Sequence, residues 1–206
     1  MPEFANAAVP LLGFAGAIFG LIATPGPGVL TTAGVGSGFG FRAGLRFLTG
    51  LFIGTNLVAL AVISGIAAAV LAVPYLRTVL IAATALYLIY LALKIALSGS
   101  KIAFIHAERA PGTVNGVLLQ FINPKAYAVN TFLFSAFPIW PSNLAAEIAI
   151  KFVVINAIWI PIHLIWLYAG VSVRRLDLPH RTQRAINIAM ALAMLLVVAL
   201  AALAQR

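Results

Sequence analysis

Between Glu3 and Arg42 the chain reads FANAAVPLLGFAGAIFGLIATPGPGVLTTAGVGSGFGF, without one ionisable side chain. At about 1.5 Å rise per residue, a straight helix over residues 8–39 overshoots the roughly 30 Å hydrocarbon core of a bilayer. A first membrane span that bends or breaks is therefore expected here. Thr24-Pro25-Gly26-Pro27-Gly28 is the place, because proline lacks an amide hydrogen and clashes with the carbonyl four residues back. The leader Met1-Pro2-Glu3 carries no positive stretch and the apolar run is too long for a signal peptide.

The whole composition agrees with a membrane reading. Of 206 residues, 63% are apolar and 8% charged, where a soluble chain carries roughly a quarter charged. Such a chain is too hydrophobic to be disordered and has too little polar surface for a soluble enzyme. The absence of cysteine excludes disulfides, thiolate metal sites and dithiol redox chemistry. No nucleophile–histidine–acid set and no metal-ligand cluster is legible, so neither an enzyme nor a cofactor is expected. Gly34-Val35-Gly36-Ser37-Gly38-Phe39 lacks the dinucleotide spacing and follows a span, not a strand. Gly34, Gly36, Gly38 and Gly40 read instead as a flexible or tightly packed end of span one.

Five further spans follow: about 47–73 ending at Pro74, 76–97, 113–137, 149–171 and 185–203. Residues 98–112 are a polar connection, and the fourth span carries Asn123-Pro124-Lys125 in its interior. The expected fold is all-α and integral to the membrane, one transmembrane domain over 1–206. With six spans the termini and the loops near Arg77 and Lys151 share a side holding three basic residues, Arg206 included. The other side holds nine, among them Arg42, Arg46, Lys101 and Arg174. Positive charge stays inside, so both termini are expected outside and the basic loops in the cytoplasm. The net charge of +9 is thereby a matter of orientation and lipid contact; no nucleic-acid partner is expected.

A coarse duplication divides the chain into repeat one, about 8–97, and repeat two, about 113–204. Pro25 after Thr24 and Pro124 after Asn123 are 99 positions apart, and Asn56 and Asn156 are 100 apart. Three spans per half invert the second half, the arrangement of transporters whose broken helices one and four mark the substrate site. Thr-Pro and Asn-Pro pairs are also sound starts for half-helices, with a polar cap and proline in the first turn. Such starts present free amides and a positive dipole end to an anion.

Lys125 sharpens this reading. An ammonium near mid-membrane costs about 2.5–3.5 kcal/mol and should face the protein interior or a water-filled cavity. All four acids, Glu3, Glu108, Glu147 and Asp177, lie outside the expected span interiors, so a transported carboxylate is a natural counter-charge. The plainer alternative is a lysine that snorkels to an interface, or one neutralised by burial. Asn56, Asn130 and Asn156 either line a pathway or join helices by hydrogen bonds. His163, just after Pro161, is a candidate proton-responsive group, or a histidine satisfied by a neighbouring carbonyl.

Pro25-Gly26-Pro27, the stretch from Arg42-Ala43-Gly44 to Gly50 and Gly54, and Asn123-Pro124-Lys125 together resemble the lysine-exporter (LysE/RhtB-type) family of amino-acid efflux proteins. The resemblance covers essentially the whole chain. It implies a bacterial inner-membrane exporter of amino acids or their derivatives, working in exchange for protons. Members of that family often carry Asp or Asn after Pro-Gly-Pro, where this chain has Gly28. The departure argues against a strongly cationic cargo and leaves proton coupling open.

The expected site comprises Thr24, Pro25, Gly26, Pro27, Gly28, Asn56, Asn123, Pro124, Lys125 and Asn156, with His163 beside it. The expected partners are a carboxylate-bearing small molecule, lipid, and further copies of the chain. Two other readings compete with export by alternating access. A membrane scaffold would use the prolines for packing alone, and a passive channel would conduct small polar solutes without coupling.

Overall fold

The computed structural model describes residues 2–24, 26–65 and 110–176, with isolated positions between 67 and 93 and between 179 and 196. Among the described residues every continuous regular element is an α-helix. They are α1 (Pro2–Ala23), α2 (Pro27–Phe39), α3 (Phe41–Ile63), α4 (Thr113–Ile122), α5 (Pro124–Ser135) and α6 (Leu144–Arg175). The expected spans at 76–97 and 185–203 lie largely outside the described residues. So does the 98–112 connection, apart from its last three positions.

Local chemistry sets the element boundaries. Gly26 is extended and Pro27 opens α2, where a missing amide hydrogen costs nothing. Gly40, at φ 83, turns α2 into α3 in a conformation that only glycine adopts cheaply. Asn123, extended before Pro124, ends α4, because a residue preceding proline avoids the helical region. Its Oδ1 then accepts the Lys125 amide at 3.1 Å and caps α5. Asn143 Oδ1 accepts the Ala146 amide at 3.0 Å and caps α6.

By length and composition α3 and α6 each suffice to cross a membrane. α1 from Val9 and α2 pass the same test together, as a pair bent by 51° at the break between them. Large apolar side chains stand on their outer faces, such as Leu57 and Leu60 on α3 and Val153 and Ile165 on α6. A soluble monomer rarely shows so much apolar surface; in a bilayer it meets lipid tails. This is a membrane protein.

The helices approach closely where glycine removes side chains. α3 packs on α4 and α2 on α6. A Cβ on Gly50 would strike the Thr113 backbone, one on Gly116 the Phe47 carbonyl, and one on Gly170 the Ala33 backbone. Small residues let membrane helices come together and gain dispersion contact where lipid gives no hydrophobic drive. The spaced glycines after residue 33 belong to this packing: Gly34, Gly36 and Ser37 are buried in α2. Beneath these contacts runs a core of Phe14, Ile18, Phe47, Leu51, Leu119 and Leu133, all at most 1% exposed.

Two spans differ from the sequence reading, in which charge marks their ends and Pro74 the end of the second. α3 begins at Phe41, with Arg42 and Arg46 exposed on its first turns, and ends at Ile63. α6 begins at Leu144, not near 149, and runs to Arg175 with Pro161 inside it. Lys151 is therefore no loop residue. It is 1% exposed and pairs at 2.7 Å with Glu147 one turn earlier in the same helix. The two charges neutralise each other, which lets both sit inside an otherwise apolar helix.

Candidate functional site

The α1–α2 and α4–α5 junctions meet in space. Lys125, in the first turn of α5, extends to the end of α1 and donates from Nζ to the Thr24 carbonyl at 2.8 Å. Gly26 makes room for it. A Cβ there would stand 2.9 Å from Lys125 Cδ and 3.0 Å from Nζ.

Around this contact lies an open cavity with about 540 Å³ of free space, its mouth included. The polar part of its lining is Thr24, Thr55, Gln120, Asn123, Lys125 and Asn130. Gln120 and Asn123 are both buried and bonded to each other, Asn123 Nδ2 donating to Gln120 Oε1 at 3.1 Å. The Asn130 amide donates to the Ala126 carbonyl at 2.8 Å. The apolar part of the lining is Leu21, Ile22, Val29, Ala126, Val129, Leu133 and Ile155. Trp159 and His163 complete the lining from α6, their rings stacked at 3.6 Å between centroids and 17° between planes. No carboxylate among the described residues lines the cavity. Glu147 is bound to Lys151 and to the amides of Ile139 and Trp140.

The expected site residues divide into three groups. Thr24, Gly26, Gly28, Asn123, Lys125 and His163 share this cavity. Pro27 and Pro124 stand behind it as the first residues of α2 and α5, and Pro25 lies outside the described residues. Asn56 and Asn156 are not in the lining; their side chains bond each other between α3 and α6. Sequence reasoning does not single out Thr55, Gln120 or Trp159. The first two carry neither charge nor proline to mark them, while Trp159 stands four residues before His163, one helical turn away.

A cavity whose cation lies between the α1–α2 and α4–α5 junctions is the setting in which the chain's relatives become informative. The sequence model of the LysE type translocator family matches residues 19–205. The chain belongs to that family. LysE type translocators are exporters of amino acids and other small molecules, not enzymes, so this translocator has a small-molecule cargo and works in lipid. Among curated proteins and among solved structures nothing matches it significantly.

Proposed function

We propose that this translocator exports amino acids or small amino-acid derivatives across the bacterial cytoplasmic membrane, and that Lys125 holds the cargo's carboxylate. One observation carries the reading. The Lys125 ammonium faces a cavity in which, among the described residues, its hydrogen-bond partner is a neutral carbonyl, that of Thr24. A neutral acceptor leaves the charge of this half-buried ammonium uncompensated, and an arriving carboxylate compensates it. The amides opening α2 at Gly28 and α5 at Lys125 add positive dipole ends around the same space.

On this reading the chain is a single domain of six helices in two inverted three-helix repeats, with helices one and four broken at their prolines. Transport follows from one half rocking against the other about the cavity. With Lys151 set aside as a buried residue of α6, nine basic residues on one side against two favour basic loops in the cytoplasm and both termini outside. A proton exchanged for cargo would have to reside on a titratable wall residue, and among those described these are Lys125 and His163.

The test is Lys125→Met in cells loaded with dipeptides, following amino-acid release. Export is expected to fall to the level of cells without the protein, while the variant is still found in the membrane at normal size. Unchanged release of every amino acid tried would overturn the proposal.

A further inference from the structure

We infer that His163 Nε2 receives the cargo's amino group, so that the site reads both ends of an α-amino acid; this rests on the assignment of the carboxylate to Lys125. His163 Nδ1 lies 2.9 Å from the Trp159 carbonyl oxygen. A carbonyl only accepts, so Nδ1 carries the hydrogen, and Nε2 of the neutral ring is then a lone-pair acceptor. Burial to 4% exposure and the stack on Trp159 hold the ring in place.

Among the described residues Nε2 has no hydrogen-bond partner, although the ring lines the cavity. It looks onto the first turn of α2, where Gly28 has no side chain; a Cβ there would stand 3.7 Å from Nε2. A buried acceptor without a donor is costly, and none of the amide side chains of the lining, Gln120, Asn123 and Asn130, donates to it. A cargo ammonium supplies up to three donors.

The spacing suits this use. Lys125 packs against Gly26 and His163 against Gly28. Gly26 and Gly28 are two positions apart in the chain, so both poles open on the same short stretch at the start of α2. With Leu133, Ile155 and Trp159 beside these poles and no carboxylate in the described wall, the cargo class is a neutral α-amino acid with an apolar side chain. A dibasic amino acid would bring a second cation that nothing there receives.

Binding to the purified full-length protein in detergent tests this, with leucine, methionine and phenylalanine as probes, each beside its des-amino acid (4-methylpentanoate for leucine). The wild type is expected to prefer at least one amino acid over its des-amino partner tenfold or more, the scale of one charge-assisted hydrogen bond. In His163→Phe, which keeps a ring on Trp159 but no acceptor, that ratio should fall to about one. His163→Gln, with a side-chain oxygen, should recover part of it. Should His163→Phe not fold, Gly28→Ala covers Nε2 from the other side and should lower the ratio too. A wild-type ratio near one, a ratio that His163→Phe or Gly28→Ala leaves intact, or failure of every probe to bind overturns the inference. The Lys125 assignment fails separately: Lys125→Met should weaken amino acid and des-amino acid together, and it falls if binding of the des-amino acid does not depend on Lys125.

Discussion

The side-chain amides of Asn56 on α3 and Asn156 on α6, a hundred positions apart in the chain, bond each other head to tail at 2.9 and 3.2 Å. Each amide is both donor and acceptor to the other, and Asn56 Nδ2 also reaches the Phe52 carbonyl at 2.8 Å. Inside a membrane no water stands in for a lost partner. Asn56→Leu and Asn156→Leu should each lower thermal stability in detergent by more than half of what the double variant loses. A double-mutant cycle is expected to give a coupling of about 0.6 kcal/mol, rising to about 1.7 at most. Strictly additive losses would show that the pair contributes nothing.

Glu147 and Lys151 join three segments. Glu147 Oε2 accepts the amides of Ile139 at 3.2 Å and Trp140 at 2.8 Å, and Lys151 Nζ donates to the Phe134 carbonyl at 3.0 Å. Lys151→Met leaves a buried carboxylate unpaired and should destabilise by about 3–5 kcal/mol. Glu147→Gln/Lys151→Met, with no net charge left, should be clearly more stable than Lys151→Met alone. Unfolding in detergent under rising denaturant orders the two.

Glycines of one sequence type should respond oppositely. A Cβ on Gly116 would strike the Phe47 carbonyl and the Leu51 amide, which belong to helix backbone and cannot move aside. On Gly20 nothing lies within 4 Å. Gly116→Ala should therefore separate α3 from α4 and cut the yield of folded protein severalfold, while Gly20→Ala folds as well as the wild type. Size-exclusion profiles after membrane extraction make the comparison.

Asn123 separates stability from cargo binding. Asn123→Ala removes the acceptor for the Lys125 amide and strands the buried Gln120 oxygen, at an expected cost of about 1–2 kcal/mol. Asn123→Asp keeps the cap but sets a carboxylate in the cavity wall beside Lys125, where it competes with cargo. Export by Asn123→Asp should fall nearly as far as in Lys125→Met, with a melting temperature above that of Asn123→Ala. Efflux assays and thermal melts together decide it.

How far these features are legible in the sequence follows from what each depends on. The junctions before Pro27 and Pro124 can be read from single residues, because proline's missing hydrogen and its effect on the preceding residue act locally. The ends of α3 and α6 could not be read from charge. Arg42 and Arg46 sit on exposed first turns, and Lys151 is cancelled by a partner four residues away in the helix. Asn56 and Asn156 announce themselves by their spacing, yet the spacing is silent on whether they face a solute or one another.

Its membrane character, all-helical class and family membership are properties of the sequence alone, since they rest on apolar content, proline and glycine placement and local backbone chemistry. Only the tertiary structure decided that Lys125 meets Thr24, that His163 lies opposite Gly28, and that Trp159, Gln120 and Thr55 complete the wall. Those relations join positions up to 135 apart, and which side chains share a cavity depends on how helices cross, a matter settled by close contacts such as Gly50 on Thr113 and Gly170 on Ala33.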